Sequence, residues 1–255
     1  MPQPGWLPQD YAERFDLVFP NNGGGLRAGA KRRRAVSPMM PLSFGSGDKT
    51  PVNVLCLGAH SDDIEIGCGG TILRLLDERP GSTVHWVVFA APGVREQEAR
   101  GSAGDFLARA GAHDVTIGSF RESYFPYVGA ELKDFFESLK QRGSPDLIFC
   151  HHRHDEHQDH RAVAQLTWNT FRDHCILEFE IPKYEGDLGK PNAFFPLTKS
   201  LAARKVELIL RHFPSQAGRR WFRPETFEGL MSVRGVECNA PEGFAEAFHF
   251  RKLVF

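Results

Sequence analysis

The chain has 255 residues, 41% of them hydrophobic and 25% charged, a composition near the globular average that excludes wholesale disorder and collagen-like repeats. Thirty-one basic and 32 acidic side chains give a formal charge of −1, so no general attraction to nucleic acid or an anionic membrane is expected. Residues 1–50 hold seven basic and four acidic side chains, which leaves the body more acidic than the whole. No apolar run approaches the ~18–20 residues of a membrane span, and the N-terminus lacks the apolar core of a secretory signal. The five cysteines are odd in number and scattered, without a C-x-x-C pair, and predict reduced thiols in a cytoplasmic protein.

Residues 1–50 read as a largely irregular tail. Pro2, Pro4, Pro8 and Pro20, then Gly23 to Gly25, the basic run Lys31 to Arg34, and Pro38 and Pro41 break every period, apart from a short helix around 11–19. From residue 51 a single domain is expected to run to 255. Residues 52–57 (VNVLCL) form a short apolar run that predicts a buried strand, and 69–78 place Ile72, Leu73, Leu75 and Leu76 on helical spacing. Strand follows at 83–90, helix at 94–112, strand at 114–117, helix at 129–142, strand at 146–150, helix at 161–173 and strand at 175–181. The alternation predicts a doubly wound, Rossmann-like α/β fold, a mostly parallel sheet between two layers of helices. Residues 185–196 read as a Gly/Pro loop, 200–212 and 224–233 as helices, and 245–255 as a closing helix or strand.

Two clusters follow predicted strands. His60-Ser61-Asp62-Asp63-Ile64-Glu65 with Gly67, Gly69 and Gly70 follows the first, and residues 151–160, with five of the eleven histidines, follow the fourth. Ligands of doubly wound sheets bind outside the carboxyl ends of strands where strand order reverses, so neighbouring first and fourth strands would bring both clusters into one crevice. Imidazole and carboxylate suit a zinc-like ion. His60 and Asp63, spaced i, i+3, and His160 are the expected ligands. Asp62 is then free to take a proton, and His157, one turn before His160, is a second acid–base group. Against this stands the bland reading of Asp62 or Asp63 as a helix cap. His151, His152 and His154 are open between lining the pocket and supporting a ligand, and the remaining five histidines read as structural. Neither G-x-G-x-x-G nor a P-loop motif is present, so no nucleotide cofactor is expected.

His60-Ser61-Asp62-Asp63 with Gly69-Gly70 resembles the A-H-P-D-D…G-G signature of the PIG-L/LmbE-like family of zinc-dependent N-acetylglucosaminyl deacetylases. His157-x-Asp159-His160, within the stretch that begins at Asp155, resembles its second signature. The likeness covers roughly residues 51–180, with Ser61 in place of the usual proline. It implies zinc held by His60, Asp63 and His160, Asp62 as general base, His157 as the acid or electrophilic group, and Asp159 orienting His157. It also implies a small N-acetylated sugar or sugar conjugate as partner; a homo-oligomer is left open. Arg95, Glu122, Lys183, Tyr184 and Arg223 are candidate substrate contacts, as are Arg219, Arg220 and Trp221, whereas Glu98 reads as a helix-surface charge. The competing functions are a metal-dependent phosphoester hydrolase and a non-catalytic metal-holding protein.

Overall fold

The computed structural model describes residues 49–253, so all but the last two residues of the expected tail, including the short helix expected at 11–19, lie outside the described residues. Seven strands form one sheet in the order β3-β2-β1-β4-β5-β7-β6. These are β1 (Asn53–Gly58), β2 (Thr83–Val88), β3 (Ala112–Ile117), β4 (Leu147–His151), β5 (Ile176–Phe179), β6 (Ala193–Leu197) and β7 (Phe244–Phe250). Strands β1 to β5 pair in parallel, and β7 runs antiparallel to both β5 and β6.

The central strands are apolar on both sides because each faces a separate helical layer. In β1, Val54 and Cys56 join the core under helices α1 (Asp63–Glu78), α2 (Val94–Phe106), α5 (Lys199–His212) and α6 (Pro224–Glu237). Leu55 and Leu57 point the other way, beneath α3 (Gly129–Lys140) and α4 (Gln158–Thr170). Strand β4 repeats the alternation, with Leu147 and Phe149 on one face and Ile148 and Cys150 on the other. The period of two set by the pleat therefore fills both cores from one sheet.

Helix α2 ends at Phe106 rather than 112, β3 begins at Ala112 rather than 114, and α6 runs on to Glu237; three further departures have a clear physical cause. Helix α1 begins at Asp63, six residues before the predicted start, and runs through Gly67, Gly69 and Gly70. Those glycines lower helix propensity, yet tertiary packing requires them: a Cβ on Gly67 would lie 2.3 Å from the Phe179 ring, and one on Gly69 2.6 Å from Phe106. Helix α4 starts at Gln158 because His157 caps it, its side chain accepting the Asp159 N–H. The segment read as a loop to residue 196 contains β6, an edge strand that accommodates Pro196 because an edge carries one row of unpaired groups.

Candidate functional site

Strands β1 and β4 are neighbours, with Val54 opposite Leu147 and Cys56 opposite Phe149. Strand order reverses between them, since β2 and β3 lie beyond β1 while β5 lies beyond β4. The two polar clusters leave the carboxyl ends of these strands and meet. His60 Nδ1 lies 3.2 Å from His160 Nε2 and 3.3 Å from Asp63 Oδ2, and His160 Nε2 lies 3.5 Å from Asp63 Oδ2. Donor atoms sharing one tetrahedral zinc-sized ion at ~2.1 Å lie roughly 3.4 Å from one another, so this donor set fits such an ion.

Two overlapping triplets of candidate ligand atoms share His160: His60–His157–His160 and Asp63–His151–His160. Their hydrogen bonds differ. His151 is fully buried and stacks on His160 at 3.9 Å, but its Nε2 accepts the Ala59 N–H at 2.9 Å, so that lone pair is engaged. His157 Nδ1 likewise accepts the Asp159 N–H, which leaves its proton on Nε2. His160 Nδ1 donates to Asp155 Oδ2 at 2.9 Å, and this turns the unprotonated Nε2 toward His60 and Asp63. Asp155 also takes the His157 N–H on Oδ1 at 2.8 Å, so one carboxylate aligns two of the histidines. Asp155 lies within the second motif, but residue type and spacing alone give it no role.

Asp159 has a different partner from the expected one. Its Oδ2 lies 3.1 Å from His60 Nε2 and accepts the Ser123 N–H at 2.5 Å, while Oδ1 accepts the Phe125 N–H. The carboxylate thus orients His60; only the Asp159 backbone touches His157. Ser123 holds a left-handed backbone, φ 67°, that aims its N–H at Asp159. No pattern in the sequence signals that non-glycine conformation.

Asp62 occupies the position before α1 but makes no side-chain cap bond, and its Oδ2 is buried without a hydrogen-bond partner. The capping alternative is thereby excluded for Asp62. Asp63 Oδ2 accepts the His60 N–H at 2.7 Å while also facing the histidines. Burial, then the neighbouring Asp63 charge, push the Asp62 carboxyl up to about 7 against the pull of His60 and Arg95. Burial also opposes ionisation of Asp63, but His160, His151 and His60 outweigh it and hold its carboxyl well below the usual range. For His60, burial works against the proton, yet Asp63 and Asp159 raise it to about 10. Burial, then the neighbouring His151, lower His160 to about 3. Burial, then His60, lower His157 as well.

Of the expected substrate contacts, Arg95 and Glu122 pair with each other at 2.5 Å. Lys183 is engaged elsewhere: its Nζ lies 3.0 Å from Asp155 Oδ2 and bonds both oxygens of Asp187. Because Asp155 holds His160, Lys183 buttresses the cluster from behind. Tyr184 and Arg223 stand exposed. Glu98 is buried and accepts the backbone N–H and hydroxyl of Ser215, which corrects its reading as a surface charge. Ser61, in place of the family proline, is fully buried.

A family model described as PIG-L, GlcNAc-PI de-N-acetylase, matches residues 55–171, a span that contains both clusters. The chain is 30% identical over 145 residues to the uncharacterized deacetylase YaiS of Escherichia coli (strain K12), across 51% of this chain and 74% of YaiS. The chain belongs to the PIG-L family. Among solved structures, it is similar to the N,N'-diacetylchitobiose deacetylase of Pyrococcus horikoshii, with a TM-score of 0.60 and 21% identity over 78% of this chain and 83% of that one. It is also similar to GalB, a 4-carboxy-2-hydroxymuconate hydratase of Pseudomonas putida, with a TM-score of 0.61 and 18% identity over 80% and 98% of the two chains. The PIG-L fold thus carries more than one named reaction, and the fold alone does not select among them. PIG-L membership and the curated deacetylase relative support a metal-dependent N-deacetylase; phosphoester hydrolysis and a non-catalytic metal-holding role are not favoured.

Proposed function

We propose that this protein is a zinc-dependent hydrolase that removes the acetyl group from an N-acetylated amino sugar or sugar conjugate. The observation that carries the reading is the convergence of His60 Nδ1, Asp63 Oδ2 and His160 Nε2 beside a buried carboxylate, Asp62, whose Oδ2 has no hydrogen-bond partner. When bound there, a divalent ion supplies Lewis acidity toward water and a carbonyl oxygen. Asp62 accepts the proton that the attacking water gives up. His157, neutral and protonated on Nε2, donates a hydrogen bond to the acetamide oxygen as it gains negative charge, a contribution of roughly 3–4 kcal/mol for one such donor. Asp62 then returns its proton to the departing nitrogen, and the products are acetate and a free amine. The neutral state of His157 replaces the protonated one that a plain acid would need, because burial and His60 disfavour its charge.

Arg95, close enough to lower Asp62, and the exposed Tyr184 and Arg223 are the candidates for contacts with the sugar. Two imidazoles and a carboxylate suit zinc. Five free cysteines favour a cytoplasmic setting, and no helix among the described residues is long and apolar enough to cross a membrane. The test is a screen of N-acetylated sugars and sugar nucleotides for acetate release, with and without a chelator. Asp62→Asn and His157→Ala should lose rate and keep the ion, whereas His60→Ala and His160→Ala should lose the ion. Acetate release that survives both chelation and His160→Ala would refute the reading.

A further inference from the structure

Helix α1, which has Asp62 and Asp63 at its start, carries a buried ion pair against the backbone of its second turn. Lys205 Nζ, from α5, donates to the Ile66 carbonyl at 2.6 Å. Glu246, from β7, accepts the Gly70 N–H at 2.9 Å on Oε1 and the Thr71 N–H at 2.6 Å on Oε2. The two side chains also bond each other, Lys205 Nζ to Glu246 Oε1 at 2.6 Å, and each is only 3% exposed. A Cβ on Gly70 would lie 3.1 Å from Glu246 Oε1 and 2.6 Å from Leu197 Cδ1, so the glycine admits the carboxylate.

A buried ion pair is weak evidence for stability, because desolvation offsets most of the attraction. Its geometry is the more informative property. The Ile66 N–H donates to the Asp62 carbonyl at 3.1 Å, and the Ile66 carbonyl is the one that Lys205 grips. A continuous chain of hydrogen bonds therefore runs from β7 and α5 through Ile66 to Asp62. We propose that Lys205 and Glu246 are positioning residues that fix the direction of the first turn of α1, and through it the aim of Asp63 at the ion and of Asp62 at the water. The proposal rests on the metal-dependent reading above.

The test uses the full chain loaded with Co2+, whose visible spectrum reports the geometry of its ligands. Thermal melts first establish that Lys205→Met is folded at the assay temperature. Folded Lys205→Met should bind Co2+ roughly tenfold or more weakly, the range typical of groups that orient metal ligands, with an altered spectrum and a fall in kcat larger than any change in KM. Arg234→Met is the control, since it breaks a second buried pair, Arg234 on α6 with Glu180 just after β5 at 2.9–3.0 Å, for which no hydrogen bond to α1 is seen among the described residues. It should lower the Tm without changing Co2+ affinity or spectrum. If Lys205→Met does not fold, Glu246→Gln, which keeps the shape and removes the charge, carries the same expectation. Wild-type affinity and spectrum in folded Lys205→Met or Glu246→Gln overturn this proposal alone. Failure of the wild type to bind any divalent ion overturns the metal-dependent reading and this proposal with it.

Discussion

Asp159 and His60, 99 positions apart in the chain, meet at 3.1 Å, carboxylate Oδ2 to imidazole Nε2. A proton held on Nε2 by that carboxylate leaves the Nδ1 lone pair for the donor cluster. Asp159→Asn should therefore weaken ion binding about 10- to 100-fold, measured by competition with a chromophoric chelator. Had Asp159 served to orient His157, the same substitution would lower kcat and leave ion affinity unchanged, and that result would reverse the assignment.

Ion binding should release a proton. His60 is raised to about 10, so without the ion it is protonated at pH 7, and a ligating Nδ1 must give that proton up. His160, lowered to about 3, has none to release. Asp62, at about 7, is partly protonated too, so calorimetric titration at pH 7 in buffers of different ionisation enthalpy should give about one proton per ion or somewhat more; a value of zero would contradict the assigned protonation. The same shifts set the stability of the ion-free protein. The raised His60 contributes stability fully below about 6.5, and that contribution is lost as pH rises toward about 10. The lowered His160 costs stability as pH falls from about 6.5 toward 3.

Asp62→Asn should separate stability from rate. The carboxylate makes no side-chain cap bond and its Oδ2 is buried without a partner, and the isosteric amide keeps the shape while removing the charge. Its folded-state value, about 7, lies above the unfolded 3.8, so its charge destabilises the ion-free fold as pH rises through that interval. At pH 8 the ion-free variant should melt at or above the wild-type Tm, while kcat of the ion-loaded enzyme falls about 10²- to 10⁴-fold, the range of general-base losses. Retention of a tenth or more of wild-type kcat would remove Asp62 from the proton path.

Gly67→Ala should destabilise the fold by about 1–3 kcal/mol, the usual cost of overpacking. The new methyl would meet the Phe179 ring at 2.3 Å, and that ring packs edge-on against His151 at 4.8 Å. Urea denaturation measures the loss; an unchanged midpoint would mean that Phe179 can move aside.

The parts of the architecture readable from sequence are those that local pattern determines. The apolar runs of β1 and β4 and the spacing of Leu132, Phe136 and Leu139 on α3 gave their elements directly. The start of α1 and the whole of β6 were not legible, because glycine packing against Phe179 and Phe106 and an edge position for Pro196 are tertiary facts. The site divides in the same way. His60, Asp63 and His160 were recognisable from residue type and spacing at two strand ends. The acceptor for His60 Nε2, the engagement of Lys183 by Asp155 and the burial of Glu98 depend on which distant segments come together, and spacing carries no record of that.

The two strands that deliver the donor atoms, β1 and β4, are hydrogen-bonded on both sides within the sheet, whereas β3 and β6 form its margins. Fraying on warming begins at such margins, where fewer bonds must open, and the innermost pair separates last. The cradle for the ion therefore shares its fate with the most protected amides of the molecule. Loss of the cradle by heat and global melting should be a single event.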